Sequence, residues 1–310
     1  MSETTMYTVS SSPHIREKDT TQSIMRDVII ALLPATVAGV YFFKMEALLV
    51  ILASVISCVL AEYIWQKATK QKVTISDLSA VVTGLLLAFN LPASVPLWLP
   101  VIGGFFSIII VKQFFGGLGQ NVVNPALAGR AMLLASWPVQ MTTWTLDGAT
   151  TATPLAILKG AEATGATLPG VMDAFIGHVG GCIGETSALA LLLGGAYLLY
   201  KRVIDWKIPV TFIGTTLIIT AIAGRSGNVI YELFVGGLMI GAIFMATDYA
   251  TCPITPKGRI IFGIGCGIIT SLIRIFGGYP EGVSYSILIM NLFVPLIERW
   301  TTPRTFGKVK

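Results

Sequence analysis

Long apolar runs separated by short polar segments dominate the pattern of hydrophobic and polar positions along this chain. Charged residues and clusters of proline and glycine delimit ten such runs, and we predict a membrane-spanning helix in each. The runs are 28–43, 47–65, 78–91, 97–115, 126–137, 187–200, 208–223, 229–247, 260–273 and 285–296. Several are shorter than the roughly 20 residues that a straight span needs. Short, interrupted spans commonly line a buried site, so the pattern predicts an all-α integral membrane protein with an internal site.

The composition agrees with this class of protein. Hydrophobic residues make up 54% of the 310 residues and charged residues only 12%, whereas soluble chains carry about 25% charged residues. The net charge is +5. Because the Lys and Arg residues lie between apolar runs and form no basic face, we interpret them as topology signals and exclude nucleic acid as a partner. The four cysteines are scattered without a Cys-x-x-Cys pair, so no metal site is predicted.

The distribution of cations orients the chain across the membrane. Most Lys and Arg residues lie in alternate segments between the runs or, for Lys112, near the end of a run, and such cations are typical of the cytoplasmic side. These are Arg16, Lys18, Arg26, Lys67, Lys70, Lys72, Lys112, Lys201, Arg202, Lys207, Lys257, Arg259 and the cations of the tail, against Lys44, Lys159, Arg225 and Arg274 on the other side. We therefore predict that both termini are cytoplasmic and that the one long loop, 138–186, faces outward.

The two halves of the chain look related. Phe115-Gly116-Gly117 recurs as Phe276-Gly277-Gly278, and at the same spacing Pro92 matches Pro253, Gly104 matches Gly265, and Val122 matches Val283. Five spans per half is an odd number, so two such copies must be inverted relative to each other. We predict a cytoplasmic segment 1–26, a first five-helix repeat 27–137, the outward loop 138–186, a second repeat 187–297 and a cytoplasmic tail 298–310.

The outward loop carries a motif for covalent modification. Asp147, Thr150, Ala152 and Thr153 resemble the recognition pattern of flavin transferases, which move FMN from FAD onto a Thr or Ser hydroxyl. The pattern usually has Gly where this chain has Thr151. By register Thr153 is the acceptor, so we expect an FMN phosphoryl threonine there.

The residues after Thr153 favour the same assignment. Thr is a good helix N-cap, Pro154 suits the first helical position and Gly160 suits the end of a short helix. A phosphate on Thr153 would then face unpaired N–H groups. Alternatively, Thr153 is only an N-cap. A second Gly-Ala-Thr sequence ends at Thr167, but it has Ala161 where the pattern needs Asp.

Some further residues are candidates for binding or ion transfer. Burying a carboxylate in an apolar membrane span costs free energy, so such a residue commonly has a function. Glu62 and Asp248 are therefore candidates for an ion pathway. Alternatively, Glu62 reaches the interface near Lys67 and Asp248 is a turn residue. Gly116 and Gly117 would let the backbone approach a flavin ring, or they form a tight turn. Asn124 would donate to a flavin carbonyl, or it caps the fifth span.

Motifs spread over nearly the whole chain point to one family. They are Ser12-Pro13-His14-Ile15, the segment from Phe115 to Asn121, Asn124-Pro125-Ala126, Ile183-Gly184-Glu185-Thr186-Ser187 and Phe244-Met245-Ala246-Thr247-Asp248. With these motifs the chain resembles the D subunit of Rnf ion-translocating electron-transfer complexes, which is related to the B subunit of the sodium-pumping NADH:quinone reductase. The compact polar N-terminus favours the D subunit.

The resemblance implies a function, a location and partners. Electrons would pass through the Thr153-linked FMN in the bacterial cytoplasmic (inner) membrane, in a complex that links ferredoxin and NAD to Na⁺ or H⁺ movement. Partners would be another flavin-bearing subunit, an iron–sulfur subunit, an NADH-binding subunit, small membrane subunits and the flavin transferase. The related B subunit also holds a non-covalent riboflavin, which makes a second flavin compatible with the resemblance. The flavin would carry the redox chemistry, so no catalytic side chain is expected.

Two other functions remain open at the level of sequence. Inverted five-span repeats also build urea-type channels, so a solute channel or transporter is the alternative. A scaffold that only holds partner subunits is a third possibility. The motif around Thr153 argues against both, because neither function uses a transferase signal.

Overall fold

The structure, a computed structural model, describes residues 19–146, 149–151, 153–158, 169–224, 229–278 and 281–303. Within these residues the chain is mostly helical, and one two-stranded antiparallel ribbon is present. The helices are α1 (Thr21–Ala68), α2 (Ser79–Phe89), α3 (Trp98–Phe105, continued by a π-helical stretch Phe106–Gln113), α4 (Pro125–Ser136), α5 (Pro138–Met141), α6 (Pro154–Leu158), α7 (Val171–Ile176), α8 (Ala188–Tyr200), α9 (Lys207–Ile222), α10 (Val229–Phe234), α11 (Leu238–Ile240, continued by a π-helical stretch Gly241–Met245), α12 (Pro256–Phe276) and α13 (Val283–Thr301). The strands are β1 (Trp144–Leu146) and β2 (Ala149–Thr151).

Helix α1 contains two of the predicted runs. A straight helix of 48 residues would be about 72 Å long, far more than the roughly 30 Å apolar core of a bilayer. Lys44 has non-helical backbone dihedrals (φ 55°, ψ −135°) and divides α1 into two arms. The first arm packs against α8, where Gly194 approaches the backbone of Ala31. The second arm packs against α2, where Gly84 approaches Val55, so the two arms serve as separate helices.

Each predicted apolar run lies on helix. Among the described residues, two helices, α1 and α12, are long and apolar enough to cross a membrane, and α2, α3 with its π-helical stretch, α8 and α9 are shorter apolar helices. The run 229–247 is the most interrupted, because α10 ends at Phe234 and α11 begins only at Leu238. Gly236 and Gly237, both with positive φ, form the break. The number of spans and the inverted repeat stay predictions.

Apolar side chains cover the outside of the helices as well as the interior. Val37 and Tyr41 on α1, Val210 and Ile218 on α9, and Leu292 on α13 are exposed, each at more than half of its accessible surface. A soluble monomer rarely exposes so much contiguous apolar surface. This outer surface is the one expected of helices that face lipid.

An extended segment before α8 ties the first half of the chain to the second. Ile183 N donates to Leu91 O (3.0 Å) and Gly184 N donates to Phe89 O (2.9 Å), while Cys182 pairs with Pro92 as an isolated bridge. These bonds satisfy carbonyls at the end of the half-length helix α2, where no water is available in a membrane interior. The segment therefore meets the broken helices in the interior of the fold.

Two cations that the sequence analysis used as topology signals are buried instead. Lys112 lies in the π-helical stretch after α3 and Arg274 lies in the last turns of α12, with 2% and 0% of their surface exposed. Each pairs with a carboxylate from another helix, Lys112 with Glu62 (2.9 Å) and Arg274 with Glu232 (2.8 Å). Their use as topology signals was therefore wrong for these two residues.

Candidate functional site

Thr153 follows the β1–β2 ribbon and starts α6. Its Oγ1 accepts a hydrogen bond from Ala156 N (3.2 Å), and its carbonyl accepts from Ile157 N (3.1 Å). Pro154 takes the first helical position, which needs no N–H donor. The structure therefore confirms the predicted N-cap. The side chain is buried, with 4% of the residue exposed.

A cavity of about 260 Å³ adjoins Thr153. Its walls come from several parts of the chain that are distant in sequence: Pro154, Val179, Gly180, Gly181, Glu185, Val235, Gly236 and Glu281. Three of these are glycines, which leave space beside the threonine. Below the cavity, Leu155 packs into a small apolar cluster with Ala174, Val179, Tyr231 and Val235. This cluster fixes α6 against α10.

Gly236 is required by this arrangement. It has φ +67°, and a Cβ at this position would lie 1.9 Å from Leu155 Cδ1. A larger residue would therefore push α6, and with it Thr153, away from the α10–α11 break. The backbone conformation itself also disfavours any residue with a Cβ.

The rest of the predicted motif is described only in part. Asp147 and Ala152 lie outside the described residues. Thr150 is described by its backbone, which pairs with Thr145 across the ribbon. The assignment of these three residues to transferase recognition stays a prediction.

A buried charged cluster borders the Thr153 cavity. Arg130, in α4, donates from Nη2 to Glu281 Oε2 and from Nη1 to Ser284 Oγ (2.8 Å) and Asn90 Oδ1 (3.0 Å). Its Nη1 also lies 3.6 Å from Glu185 Oε1. Both glutamates line the cavity, whereas Arg130 lies behind them. Cys182, Glu185 and Glu281 have ligand atoms within 4.8 Å of one another, a cluster that their distant positions in the sequence did not indicate.

A second buried cation, Arg274, stabilises the break between α10 and α11, within the predicted run 229–247. Arg274 donates to Glu232 Oε2 (2.8 Å), Glu232 O (3.1 Å), Val235 O (3.2 Å) and Gly236 O (3.0 Å). These carbonyls end α10 and would otherwise be unsatisfied in an apolar interior. Arg274 thereby fixes the two residues, Val235 and Gly236, that form one wall of the Thr153 cavity.

The predicted residues Asn124 and Asp248 line a different cavity, which opens to the outside and spans about 790 Å³ with that open space included. Asn124 caps α4, because its Oδ1 accepts from Ala126 N (3.0 Å) and Leu127 N (3.3 Å), and its Nδ2 donates to Met245 O (3.3 Å). Asp248 Oδ2 accepts from Thr251 Oγ1 (3.2 Å) in the turn after the π-helical stretch. The structure thus shows Asn124 as a helix cap and Asp248 as a turn residue, the alternative that the sequence had left open for each. Both residues nevertheless face the cavity.

Gly116 and Gly117 form a turn with positive φ after the π-helical stretch, where Gly117 N donates to Lys112 O (3.0 Å). Neither glycine is among the lining residues of the described cavities. Leu118 and Asn121, which follow the turn, do line the 790 Å³ cavity. The turn therefore positions this cavity wall, and a direct role of the two glycines toward a flavin stays a prediction.

Glu62 lies in a hydrogen-bonded network beside the same cavity. Lys112 Nζ donates to Glu62 Oε1 (2.9 Å) and to Ser79 Oγ (2.6 Å), and Gln113 Nε2 donates to Glu62 Oε1 (2.8 Å). With 1% of its surface exposed, Glu62 does not reach toward Lys67 at an interface. The alternative interpretation of Glu62 as an interfacial side chain was therefore wrong.

Sequence reasoning missed Arg130, Glu281 and Arg274 as residues of the site. For Arg130 and Arg274 the signal was an ionisable residue inside or at the end of an apolar run, which is the same signal that selected Glu62. The complementary partners lie far away in sequence, so the pairing was not visible.

Comparison with known proteins identifies the chain's relatives. The profile of the NQR2, RnfD, RnfE family matches residues 8–307. The D subunit of the Na⁺-translocating ferredoxin:NAD⁺ oxidoreductase complex of Acetobacterium woodii is 56% identical, over 98% of this chain and 96% of the relative. The D subunit of the proton-translocating ferredoxin:NAD⁺ oxidoreductase complex of Clostridium ljungdahlii is 49% identical, over 97% and 96%. The D subunit of the ion-translocating oxidoreductase complex of Aliivibrio salmonicida is 37% identical, over 98% and 99%. The resemblance drawn from the sequence motifs is thus confirmed, and the chain belongs to the NQR2, RnfD, RnfE family.

Proposed function

We propose that this chain is the D subunit of an Rnf-type ion-translocating ferredoxin:NAD oxidoreductase complex and that it carries electrons through an FMN esterified to Thr153. The names of its relatives support the complex, because three D subunits that match nearly the whole chain are described as parts of ion-translocating oxidoreductases. The observation that carries the flavin assignment is the position of Thr153, an N-cap beside a glycine-lined cavity.

The glycines around Thr153 are the feature of this cavity that favours an ester on the hydroxyl, whereas its charged lining residues, Glu185 and Glu281, do not compensate the charge of a phosphate. Gly180, Gly181 and Gly236 leave space next to the hydroxyl. Cofactor pockets typically measure about 300–1,000 Å³, so a cavity of about 260 Å³ is too small for a whole FMN. The ring system would therefore extend toward the outer face of the chain, where another flavin-bearing or iron–sulfur subunit can exchange electrons with it.

The role of this chain in electron transfer is to hold and orient the cofactor. FMN supplies the redox chemistry when it is bound. Thr153 fixes the phosphate end at the start of α6, and the apolar cluster around Leu155 holds that helix. Arg274 keeps the α10–α11 break in place on the opposite wall. Because Thr153 is 4% exposed, the flavin transferase must act before this wall closes over the hydroxyl.

The 790 Å³ cavity supports the prediction of a second, non-covalent flavin. Its lining is mostly apolar with a few polar groups, among them Asn121, Asn124, Lys112 and Thr83, as is typical of cofactor pockets. We propose that a riboflavin-type ligand binds there, beside Asn121 and Asn124. Gly116 and Gly117 would act through the turn that carries Asn121.

Asp248 is the stronger of the two carboxylates proposed for an ion pathway. It faces the 790 Å³ cavity and also a neighbouring open groove, whereas Glu62 is already paired with Lys112. The bacterial inner membrane, the cytoplasmic termini and the partner subunits follow from the proposed complex. The relatives include both a Na⁺-translocating and a proton-translocating complex, so the transported ion is left open.

The attachment is tested by expressing the full chain with and without a flavin transferase and measuring fluorescence on a denaturing gel. We expect a fluorescent band only with the transferase, and its loss in Thr153→Val. Thr151→Val is the matched control and should stay fluorescent, because the recognition pattern needs no hydroxyl at that position. Fluorescence that persists in Thr153→Val but disappears in Thr167→Val would move the attachment, and a band that never fluoresces would favour the channel or scaffold.

A further inference from the structure

The charged cluster beside the Thr153 cavity is not electrically balanced. Arg130 is its one cation among the described residues, whereas Glu185 and Glu281 both contribute carboxylates. The side chains of Arg130, Glu185 and Glu281 are 8%, 4% and 12% exposed, so water screens them little. With both glutamates ionised, the cluster would hold one uncompensated negative charge.

The other two buried clusters of the described residues differ in this respect. Lys112 pairs with Glu62, and Arg274 pairs with Glu232, one cation to one carboxylate in each case. An isolated buried charge is so costly that a group normally changes its protonation state instead. The fold balances charge in two places, so the excess carboxylate in the third indicates a ligand that carries one positive charge.

Two oxygen atoms of the cluster lack a hydrogen-bond donor among the described residues, although Glu185 Oε1 lies 3.6 Å from Arg130 Nη1. Glu185 Oε1 and Glu281 Oε1 are fully buried and accept no hydrogen bond from any described residue. Glu185 itself is more than nine-tenths buried and faces the cavity from one side of the α10–α11 break, where Gly237 leaves room for it. Buried acceptors without donors are rare in folded proteins, and each needs an explanation.

The charged and polar groups described next to the cluster do not supply the missing donor. Cys182 contributes a thiol that donates to Asn90 O (3.3 Å), so its sulfur is not an anionic ligand. Arg274, behind Gly236, is bound to Glu232 and to carbonyls of the break. Asp173 of α7 accepts from the N-terminus of its own helix, at Gly170 N (3.2 Å).

The geometry favours a proton over a metal ion. A divalent cation would reverse the charge of the cluster and would compete with the guanidinium that already binds Glu281. A sodium ion needs several oxygen ligands around it, whereas the ligands within 4.8 Å here are one thiol and two carboxylates. Two neighbouring carboxylates commonly share one proton, because they cannot both ionise at low cost.

We propose that Glu185 and Glu281 bind one proton between them and that, with Arg130, they form a proton-exchange site in the wall of the Thr153 cavity. The proton comes from water and returns to water, with no covalent or redox step. The site stands without the flavin. Its coupling to the flavin rests on the proposed function: a phosphodiester on Thr153 adds a negative charge to the same cavity and should raise the affinity for the proton.

Infrared spectroscopy of the purified full-length chain tests this site directly. A free glutamate has a pKa of about 4.3 and is almost entirely ionised at neutral pH. We expect a carboxylic-acid C=O band at pH 7 that shifts in D₂O, and its loss in both Glu185→Gln and Glu281→Gln. Glu46→Gln, at an exposed position on α1, is the matched control and should leave the band unchanged.

The same measurement separates a proton site from the other outcomes. Arg130→Lys keeps the positive charge and should keep the band, which guards against variants that simply fail to fold. A wild-type spectrum without a protonated carboxyl at neutral pH would overturn the proposal. So would loss of the band when NaCl replaces choline chloride at constant pH, because sodium would then be the ligand.

Comparison with Thr153→Val tests the coupling. With flavin on Thr153, the band should persist to higher pH in the wild-type chain than in the variant. Equal titrations in two chains that both show the band would refute the coupling while leaving the proton site in place. A wild-type chain without attached flavin would refute the proposed function alone, so the two failures are distinguishable.

Discussion

The buried pair of Arg274 and Glu232 provides the most stringent test of how the Thr153 cavity is built. Replacing Arg274 with Met keeps a long side chain in α12 but removes the guanidinium. Glu232 Oε2 and the carbonyls of Glu232, Val235 and Gly236 all lose a charged donor. The residue is fully buried, so water cannot replace these bonds without opening the fold.

The expected loss of stability follows from this geometry. Removing one partner of a buried ion pair costs about 3–5 kcal/mol, because the remaining charge is left uncompensated. The carbonyls of the α10–α11 break add to this loss, since unsatisfied buried acceptors cost about 1–3 kcal/mol each. We therefore expect a value at the upper end of the ion-pair range, about 5 kcal/mol. At about 2–4 °C per kcal/mol this corresponds to a decrease in Tm of roughly 10–20 °C.

Thermal unfolding in detergent, followed with a thiol-reactive fluorescent dye, measures the effect. Cys58, Cys182 and Cys266 are buried and become reactive on unfolding. Lys257→Met, at an exposed position on the same helix, is the matched control and should change the Tm by less than about 2 °C. The double variant Arg274→Met/Glu232→Met should recover only part of the loss, because the carbonyls of the break remain unsatisfied. A Tm of Arg274→Met equal to that of Lys257→Met would refute the reasoning.

Three other changes test separate parts of the structure by the same dye assay. Lys112→Met should lose about 3–5 kcal/mol because Glu62 stays buried without its cation, and the double variant with Glu62→Leu should recover most of it; no recovery would contradict the pairing. Gly236→Ala should lower the Tm and the yield of flavin attachment, whereas Gly214→Ala, at an open position on α9, should change neither. For Asp205, burial alone would raise the pKa, but hydrogen bonds from Lys207 and Arg259 lower it below its usual 3.8. Its contribution to stability is therefore present above the unfolded pKa of about 3.9 and is lost as pH falls through the folded value. Asp205→Asn should flatten the fall of Tm between about pH 5 and roughly pH 3, and an unchanged profile would show that these bonds do not matter.

The helices and the cap at Thr153 could be predicted because both depend on local sequence. The predicted apolar runs for α8 and α9 begin and end within one residue of the helices in the structure. Thr153 followed by Pro154 is a local capping signal, and the hydrogen bond from Ala156 N agrees with it. The break at Gly236 and Gly237 had a local signal as well, two adjacent glycines within an apolar run, but the pattern predicted one continuous span.

The charged interior could not be predicted, because each pair joins residues from different helices or segments. Glu62 and Lys112, Arg130 and Glu281, and Glu232 and Arg274 come together only when the helices pack. A single sequence shows an ionisable residue in an apolar run but not the helix that faces it. For that reason Lys112 and Arg274 were used as topology signals, since a cation near the end of an apolar run is typical of one.

Two of these buried cations, Arg130 and Arg274, lie where helices end inside the fold. A helix that stops inside the membrane leaves carbonyls without donors, and the bilayer offers no water to satisfy them. Arg274 binds the carbonyls at the end of α10, and Arg130 binds the Asn90 side chain at the end of α2. Each cation then needs a carboxylate, which brings Glu232 and Glu281 to the same broken ends. The cavities exist because the helices are broken, so charge beside a cavity is a structural consequence and carries no functional information alone. Glu185 is the exception, because no broken helix requires a second carboxylate next to Arg130, and that excess is what points to a bound proton.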